Sequence, residues 1–490
     1  MRGIQLSTRR SLASSMTVPM ATAALSAHPI HISTSRQSRG PCFVADRMFT
    51  PPAITPIMAL LKMNLRMCGL PFVASYATRP RSTECVYDVV FESEDALVSA
   101  VSKRVSAAQA AFLPVEDFFF RSRYSERRYE TGVADFTFGN PHEMPLEGFV
   151  SALREAAIPE DKNWFAYKSS EDEPRAFLAE RVGRELGLAF EPEDFALTAG
   201  AFGAIALAFH LLLDVGDEAI ISEPAWFCYE PMLLTAAAVP RKVRLDPATF
   251  ELDLAAIDAA ITPKTRLVIV NTPHNPTGRI YDRESLAALA DLLDRASDRI
   301  GRRIFLLSDE PYRRLRFDGL DFTSPAAVYP WTVISYSYGK ILLTPGQRLG
   351  YLAVSPRMPA DDRRALRGAM FAAQMSLGWA FASALMQHAV PSLEDLSIDQ
   401  AALLRRRDRL LAALTDAGYR PVAPEGTFYL FSRWPEGDPE ELWNRLADRD
   451  VFVMPGAILG APDHFRISLT ASDAMVEKAL PAFAEAVSRA

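Results

Sequence analysis

The chain has 490 residues, 49% of them apolar and 23% charged, which is the profile of a globular protein and excludes a disordered or fibrous one. At this length more than one domain is expected, because a single core stops growing at roughly 250–300 residues. A formal net charge of −7 leaves no basic footprint for nucleic acid or anionic lipid. The four cysteines, Cys42, Cys68, Cys85 and Cys228, show neither metal-ligand spacing nor the density of a disulfide scaffold, which fits a reducing, cytoplasmic location and no metal site.

Residues 1–83 are rich in Ser, Thr, Pro and Arg, and Asp46 is their only acidic residue. They predict a disordered extension over 1–85, with Met48, Met58, Met63 and Met67 as later candidate starts. Arg9 and Arg10 precede a mildly apolar stretch ending in Ala24-Leu25-Ser26-Ala27, a weak pattern for an organelle-targeting or export leader that Ser and Thr interrupt. The apolar stretch 54–77 is broken by Lys62, Asn64 and Arg66, so no membrane-spanning helix is predicted.

An N-terminal arm over 86–145 follows, with helical periodicity at 93–112, and contributes to a smaller domain. Across 146–360, apolar runs at 195–198, 219–222, 266–271, 304–308, 333–337 and 351–354 end in turn residues. Helical stretches such as 204–213 and 284–296 separate several of them. Strands alternating with helices predict an α/β domain with a mostly parallel central sheet flanked by helices. The remainder, 361–490, predicts a smaller α+β domain with helices at 363–387, 397–417 and 474–487 and strands near 427–431 and 465–469. Within it Arg405, Arg406, Arg407 and Arg409 read as a solvated helix face.

Five segments at the ends of apolar runs carry chemistry. Ser337-Tyr338-Gly339-Lys340 sets a lysine just beyond a strand, with Arg348-Leu349-Gly350 eight residues on. α/β sheets bind ligands at that edge, and a neutral amine there condenses with an aldehyde. Ser308-Asp309-Glu310-Pro311-Tyr312 supplies a carboxylate able to keep a pyridine nitrogen protonated, and a phenol three residues later. Asn271-Thr272-Pro273-His274-Asn275-Pro276-Thr277-Gly278 makes a rigid loop in which Asn275 offers an amide donor. Thr198-Ala199-Gly200-Ala201-Phe202-Gly203 opens a helix with small residues, which suits a phosphate, and Pro224-Ala225-Trp226 sets an aromatic after another strand. Singly, each has an ordinary reading as a surface lysine, a helix cap, a turn or a core tryptophan.

Together, in this order and spacing, they resemble the class I/II aminotransferases of fold type I, the aspartate aminotransferase superfamily, over residues 110–490. The resemblance implies pyridoxal 5′-phosphate as cofactor. Lys340 matches its covalent anchor, Asp309 the partner of the ring nitrogen, Tyr312 and Asn275 the partners of the ring's phenolic oxygen, and Trp226 the stacking aromatic. Ser337, Arg348, Gly200 and the backbone N–H groups of Ala201 and Phe202 match the phosphate cradle. Tyr167 resembles the tyrosine that reaches the phosphate of the neighbouring subunit. Arg466, in Phe465-Arg466-Ile467-Ser468, matches the arginine that grips the substrate α-carboxylate, with Gly139 bringing a backbone N–H to the same group. Thr344 departs from the apolar residue usual at its position.

The implied reaction is transfer of an amino group from an L-amino acid to a 2-oxo acid by a ping-pong mechanism, in a homodimer with its sites at the interface. Phe138, Trp226, Phe428 and Tyr429 favour an aromatic or large apolar substrate. The same site chemistry would also serve a lyase, decarboxylase or oxidase. A cofactor-binding regulator would need a DNA-binding module ahead of residue 110, and residues 1–83 carry no pattern for one.

Overall fold

The computed structural model describes residues 100–488 and three short strands before them. Those strands, β1 (His31–Arg36), β2 (Pro41–Asp46) and β3 (Asp88–Val90), pair antiparallel in that order within a unit spanning residues 1–102. The rest of the extension expected over 1–85, with its candidate leader and the stretch 54–77, lies outside the described residues.

Residues 103–490 form the second unit, whose described residues build two larger sheets. Strand β4 (Ala134–Phe136) belongs to the smaller of them. The seven-stranded sheet takes β5 (Phe195–Thr198), β6 (Glu218–Glu223), β7 (Val239–Arg244), β8 (Thr265–Asn271), β9 (Phe305–Asp309), β10 (Thr332–Ser337) and β11 (Gly350–Val354) in the order β5-β11-β10-β9-β8-β6-β7. Neighbours from β10 to β7 are parallel, and β11 runs antiparallel to both β5 and β10. Six strands therefore end at one edge, and β11 starts there, with Gly350 opposite both Thr198 and Ser337.

Alternation along the strands explains their double burial. Leu267, Ile269, Phe305 and Leu307 pack on one face with Ala204, Leu207 and Ala208 of the helix Gly200–Leu212. Val268, Val270 and Leu306 pack on the other with Leu286, Leu289 and Leu293 of the helix Arg283–Ile300. That second helix starts at Asp282, whose carboxylate accepts the Ser285 N–H at 2.7 Å, and stops at Gly301 with φ +67°. Strand β7 escapes a periodicity reading because it is an edge strand with Pro240, Arg241, Lys242 and Arg244 in place of an apolar run.

The smaller sheet adds β12 (Arg420–Val422), β13 (Tyr429–Arg433), β14 (Val451–Pro455) and β15 (His464–Ser468), ordered β12-β13-β15-β14-β4. Its last pair is parallel, so a segment from before the large sheet closes a sheet otherwise made from the C-terminal part of the chain. Helix limits differ from expectation in two places. The first helix of this unit runs from Lys103 to Arg121, later than 93–112, and the stretch expected at 363–387 divides into Ala360–Ser376 and Ala384–Leu393 around Gly378 and Trp379, both at positive φ.

The arginine run also departs from its reading. On the helix Gln400–Asp416, Arg406 and Arg407 are buried. Arg406 reaches Asp473 at 2.6 Å, and Arg407 reaches Asp318 at 2.5 Å, so half of this charged run clamps the helix to neighbouring segments. Among the described residues no helix is long and apolar enough to cross a membrane.

Directly behind the end of β9 lies a buried polar network. Glu310 accepts hydrogen bonds from Ser308 at 2.7 Å and Ser324 at 2.5 Å, and the Arg313 guanidinium stands 3.6 Å from its other oxygen. Arg313 donates twice to Glu185 at 3.0 Å and stacks on Tyr336. Burial raises the Glu310 carboxyl from its ordinary 4.5 to about 7, against the pull of Arg313 and the two hydroxyls. A folded-state pKa above the unfolded one gives a contribution to stability that is complete below 4.5 and lost as pH rises through about 7. In Glu310→Gln that loss should vanish, so urea denaturation from pH 4 to 8 should show the wild type falling relative to the variant by at most about 3 kcal/mol. Parallel profiles for the two proteins would contradict the assignment.

Candidate active site

Where the six parallel strands end, a cavity of about 400 Å³ opens. Side chains at the strand ends reach it first: Asn271 from β8, Asp309 from β9 and Ser337 from β10. Asn271 ties the first two together, since its amide N–H donates to the Asp309 carbonyl at 2.8 Å and its side-chain oxygen accepts the Asn275 N–H at 2.7 Å. One asparagine thus sets the loop bearing Asn275 against the strand bearing Asp309.

Asp309 is buried, and its Oδ2 accepts the Tyr229 hydroxyl at 2.5 Å while Oδ1 has no protein partner. Burial raises its pKa to about 6; the hydroxyls of Tyr229 and Ser335 and the positive charge of Lys340 act in the opposite direction. Lys340 sits on the short helix Tyr338–Ile341 and lines the same cavity, with its Nζ 5.6 Å from the centre of the Tyr312 ring. Tyr312 lines it too, and burial pushes its phenol well above the ordinary range.

From the smaller sheet comes Arg466, on β15. Its guanidinium donates to Asn275 Oδ1 and to the Thr137 carbonyl, both at 2.9 Å, and stacks over Tyr429 at 3.9 Å, while Nε is buried without a partner. Gly139, two residues after Thr137, lies so close to Tyr429 and Phe428 that a Cβ there would stand 2.8 Å from the Tyr429 hydroxyl. Only glycine fits.

Ala201, Phe202, Trp226 and Arg348 complete the expected set at the cavity wall. Arg348 donates to the Pro345 carbonyl at 2.6 Å, and Trp226 meets Tyr229 edge-on at 5.2 Å. Gly200, at φ +75°, lies behind this wall against Arg348 instead of in it. Phe428 is a correction: it is fully buried beside Tyr312 and Gly139 and, although its ring centre is 5.6 Å from the Lys340 Nζ, it does not line this cavity. Tyr167 stands outside the cavity, 93% exposed, with its ring 5.3 Å from that of Trp379. Sequence reasoning passed over Phe227 and Tyr229, although they lie one and three residues after the singled-out Trp226.

Comparison with known proteins agrees with this geometry. The family model described as aminotransferase class I and II matches residues 131–483. The aspartate/prephenate aminotransferase of Thermus thermophilus is 33% identical over 369 residues, covering 74% of this chain and 93% of that protein. Kynurenine–oxoglutarate transaminase 1 of Mus musculus is 30% identical, covering 52% of this chain and 63% of its own length. Among solved structures, an aminotransferase of Eubacterium rectale superposes with a TM-score of 0.70 at 30% identity, covering 80% of this chain and 96% of that one. Thermus thermophilus aspartate aminotransferase with maleate gives 0.66 at 29%, covering 79% and 99%. With the strand-edge cavity and the match extending across most of the chain, the protein belongs to the class I and II aminotransferases, enzymes that use pyridoxal phosphate to move amino groups from amino acids to 2-oxo acids.

Proposed function

We propose that this aminotransferase acts on L-amino acids with aromatic or large apolar side chains, and that the residues at the strand edge divide the work as follows. Pyridoxal phosphate, when bound, supplies an electron-withdrawing ring that makes the substrate Cα–H acidic. The fit of that group is supported by the buried, unpartnered Oδ1 of Asp309, which suits a ring N–H⁺. A cationic partner there would return the raised carboxyl to its ionised form. Tyr312 and Asn275 would hold the ring's phenolic oxygen, Trp226 its face, and Ser337, Arg348 and the N–H groups of Ala201 and Phe202 its phosphate.

Lys340 anchors the cofactor and takes the proton from the substrate Cα. Arg466 grips the α-carboxylate: Asn275 and the Thr137 carbonyl already orient it, and its free Nε is a buried donor. The Gly139 N–H joins it. The observation that carries the substrate preference is the aromatic wall, in which Phe138, Phe202, Trp226 and Phe227 line the cavity. Lys340, Arg348 and Arg466 are its only cations among the described lining residues, and all three have the roles above. Within one chain, a second substrate carboxylate would be desolvated there without a partner.

Exposed aromatics outside the cavity, Tyr167, Trp379 and Phe371, the last two packed on the buried Phe381, support a homodimer in which Tyr167 reaches the second copy's site. The buried free thiol of Cys228 is consistent with a cytoplasmic location.

The function is tested by following cofactor absorbance of the loaded protein with single amino acids and no 2-oxo acid. Phenylalanine, tyrosine or leucine should convert the band stoichiometrically and a 2-oxo acid should restore it; faster conversion by aspartate would overturn the preference. Lys340→Ala should lower turnover by at least roughly a thousandfold, and near-normal turnover would remove Lys340 from its role. Tyr229→Phe deletes a hydrogen bond that stabilises the Asp309 carboxylate. Turnover should drop about fivefold, with the acidic limb of the pH–rate profile displaced to higher pH; an unmoved limb would separate Tyr229 from Asp309 function. Trp379→Glu should raise the dimer dissociation constant by about tenfold or more, measured by sedimentation, and an unchanged constant would place the interface elsewhere.

A further inference from the structure

Two rings of the aromatic wall are held from behind by one element. The helix Lys103–Arg121 turns a single stripe inward, with Ala108, Val115 and Phe118 buried and Phe112 and Phe119 partly buried between them. Its first half packs along the helix Tyr229–Thr235, which directly follows Trp226-Phe227-Cys228, and Arg104 reaches the Thr235 carbonyl at 3.3 Å. There the Phe112 ring stands 5.9 Å from the ring of Phe227. In the second half, Phe119 meets Phe138 edge-on at 5.4 Å and Phe118 lies 6.3 Å from it. The Arg128 guanidinium covers the outer face of Phe119 at 3.9 Å.

Phe227 and Phe138 line the cavity, whereas Phe112 and Phe119 do not. We propose that the helix Lys103–Arg121 determines side-chain specificity, with Phe112 and Phe119 as positioning residues that hold Phe227 and Phe138 at the depth suited to a large apolar side chain. The inference rests on the substrate preference proposed above. Its physical basis is that an aromatic ring with nothing behind it relaxes into the space left free, so truncating the backing ring widens the subsite and loosens contact with the substrate. A small donor does not reach those rings and is indifferent to their position.

The test is steady-state kinetics of the full-length holoenzyme with phenylalanine, alanine and aspartate as donors, for the wild type, Phe112→Ala, Phe112→Leu and Phe119→Ala. In Phe112→Ala, kcat/KM for phenylalanine should fall about tenfold, carried mainly by KM, while the value for alanine stays within about twofold. Phe112→Leu should recover most of the loss, and Phe119→Ala should repeat the pattern through Phe138. Should Phe112→Ala fail to fold, the milder Phe112→Leu and the separate site at Phe119 carry the same readout. Equal losses for phenylalanine and alanine in these variants would overturn the proposal and leave the helix a purely structural part. A wild type that prefers aspartate to phenylalanine would overturn the substrate preference itself, and that result is read before any variant is made.

Discussion

A carboxylate that the protein buries and leaves half-satisfied is the constraint around which the site is organised. Asp309 ends β9 in the middle of the large sheet, where both neighbours are parallel strands and its side chain is buried. One oxygen accepts the Tyr229 hydroxyl and the other has no hydrogen-bond partner in the protein. Burying a carboxylate this way is costly unless a cation arrives. The surrounding architecture keeps the arrangement rigid: Asn271 fastens the Asp309 carbonyl and the Asn275 loop together, and the Glu310–Arg313–Glu185 network fixes the segment just after it.

The two sheets of the 103–490 unit serve that constraint in different ways. The large sheet gathers Asn271, Asp309, Ser337 and, through the reversed strand β11, Arg348 at one edge. The small sheet contributes Arg466, and its unusual membership explains why. Strand β4 joins it in parallel with β14, which carries Thr137 and Gly139 to the side of Arg466 although they lie more than 300 residues apart in the chain. The guanidinium proposed to bind the substrate carboxylate and the backbone that would share its ligand are thereby held by distant parts of the sequence.

Beyond the polar centre, aromatic side chains set the shape of the cavity. Trp226 is braced edge-on by both Tyr229 and Phe202 and Phe138 edge-on by Phe119, while Phe112 meets Phe227 and Phe118 meets Phe138 at a tilt. Such edge-to-face contacts constrain ring orientation as well as burying area. The result is a wall whose position depends on the packing of the first helix, so residues with no access to a ligand still influence what the cavity accepts.

Much of this was legible in the chain itself. Apolar runs ending in Asn271, Asp309 and Ser337 mark strands, and the residues at their ends carry chemistry because an α/β sheet exposes its strand ends on one side. Local order and spacing, with the resemblance to the class I/II aminotransferases that they carry, were therefore enough to single out Lys340, Asp309, Asn275, Trp226, Arg348 and Arg466, all of which line one cavity. Sequence could not decide contacts between segments distant in the chain: the Tyr229–Asp309 hydrogen bond, the burial of Arg406 and Arg407 with their ion pairs, and the displacement of Phe428 from the wall. It also missed β7, whose edge position removes the apolar pattern. Periodicity reports which face of an element is buried, whereas what lies against that face is set by the crossing of elements in space, and only the tertiary structure brings Phe112 behind Phe227.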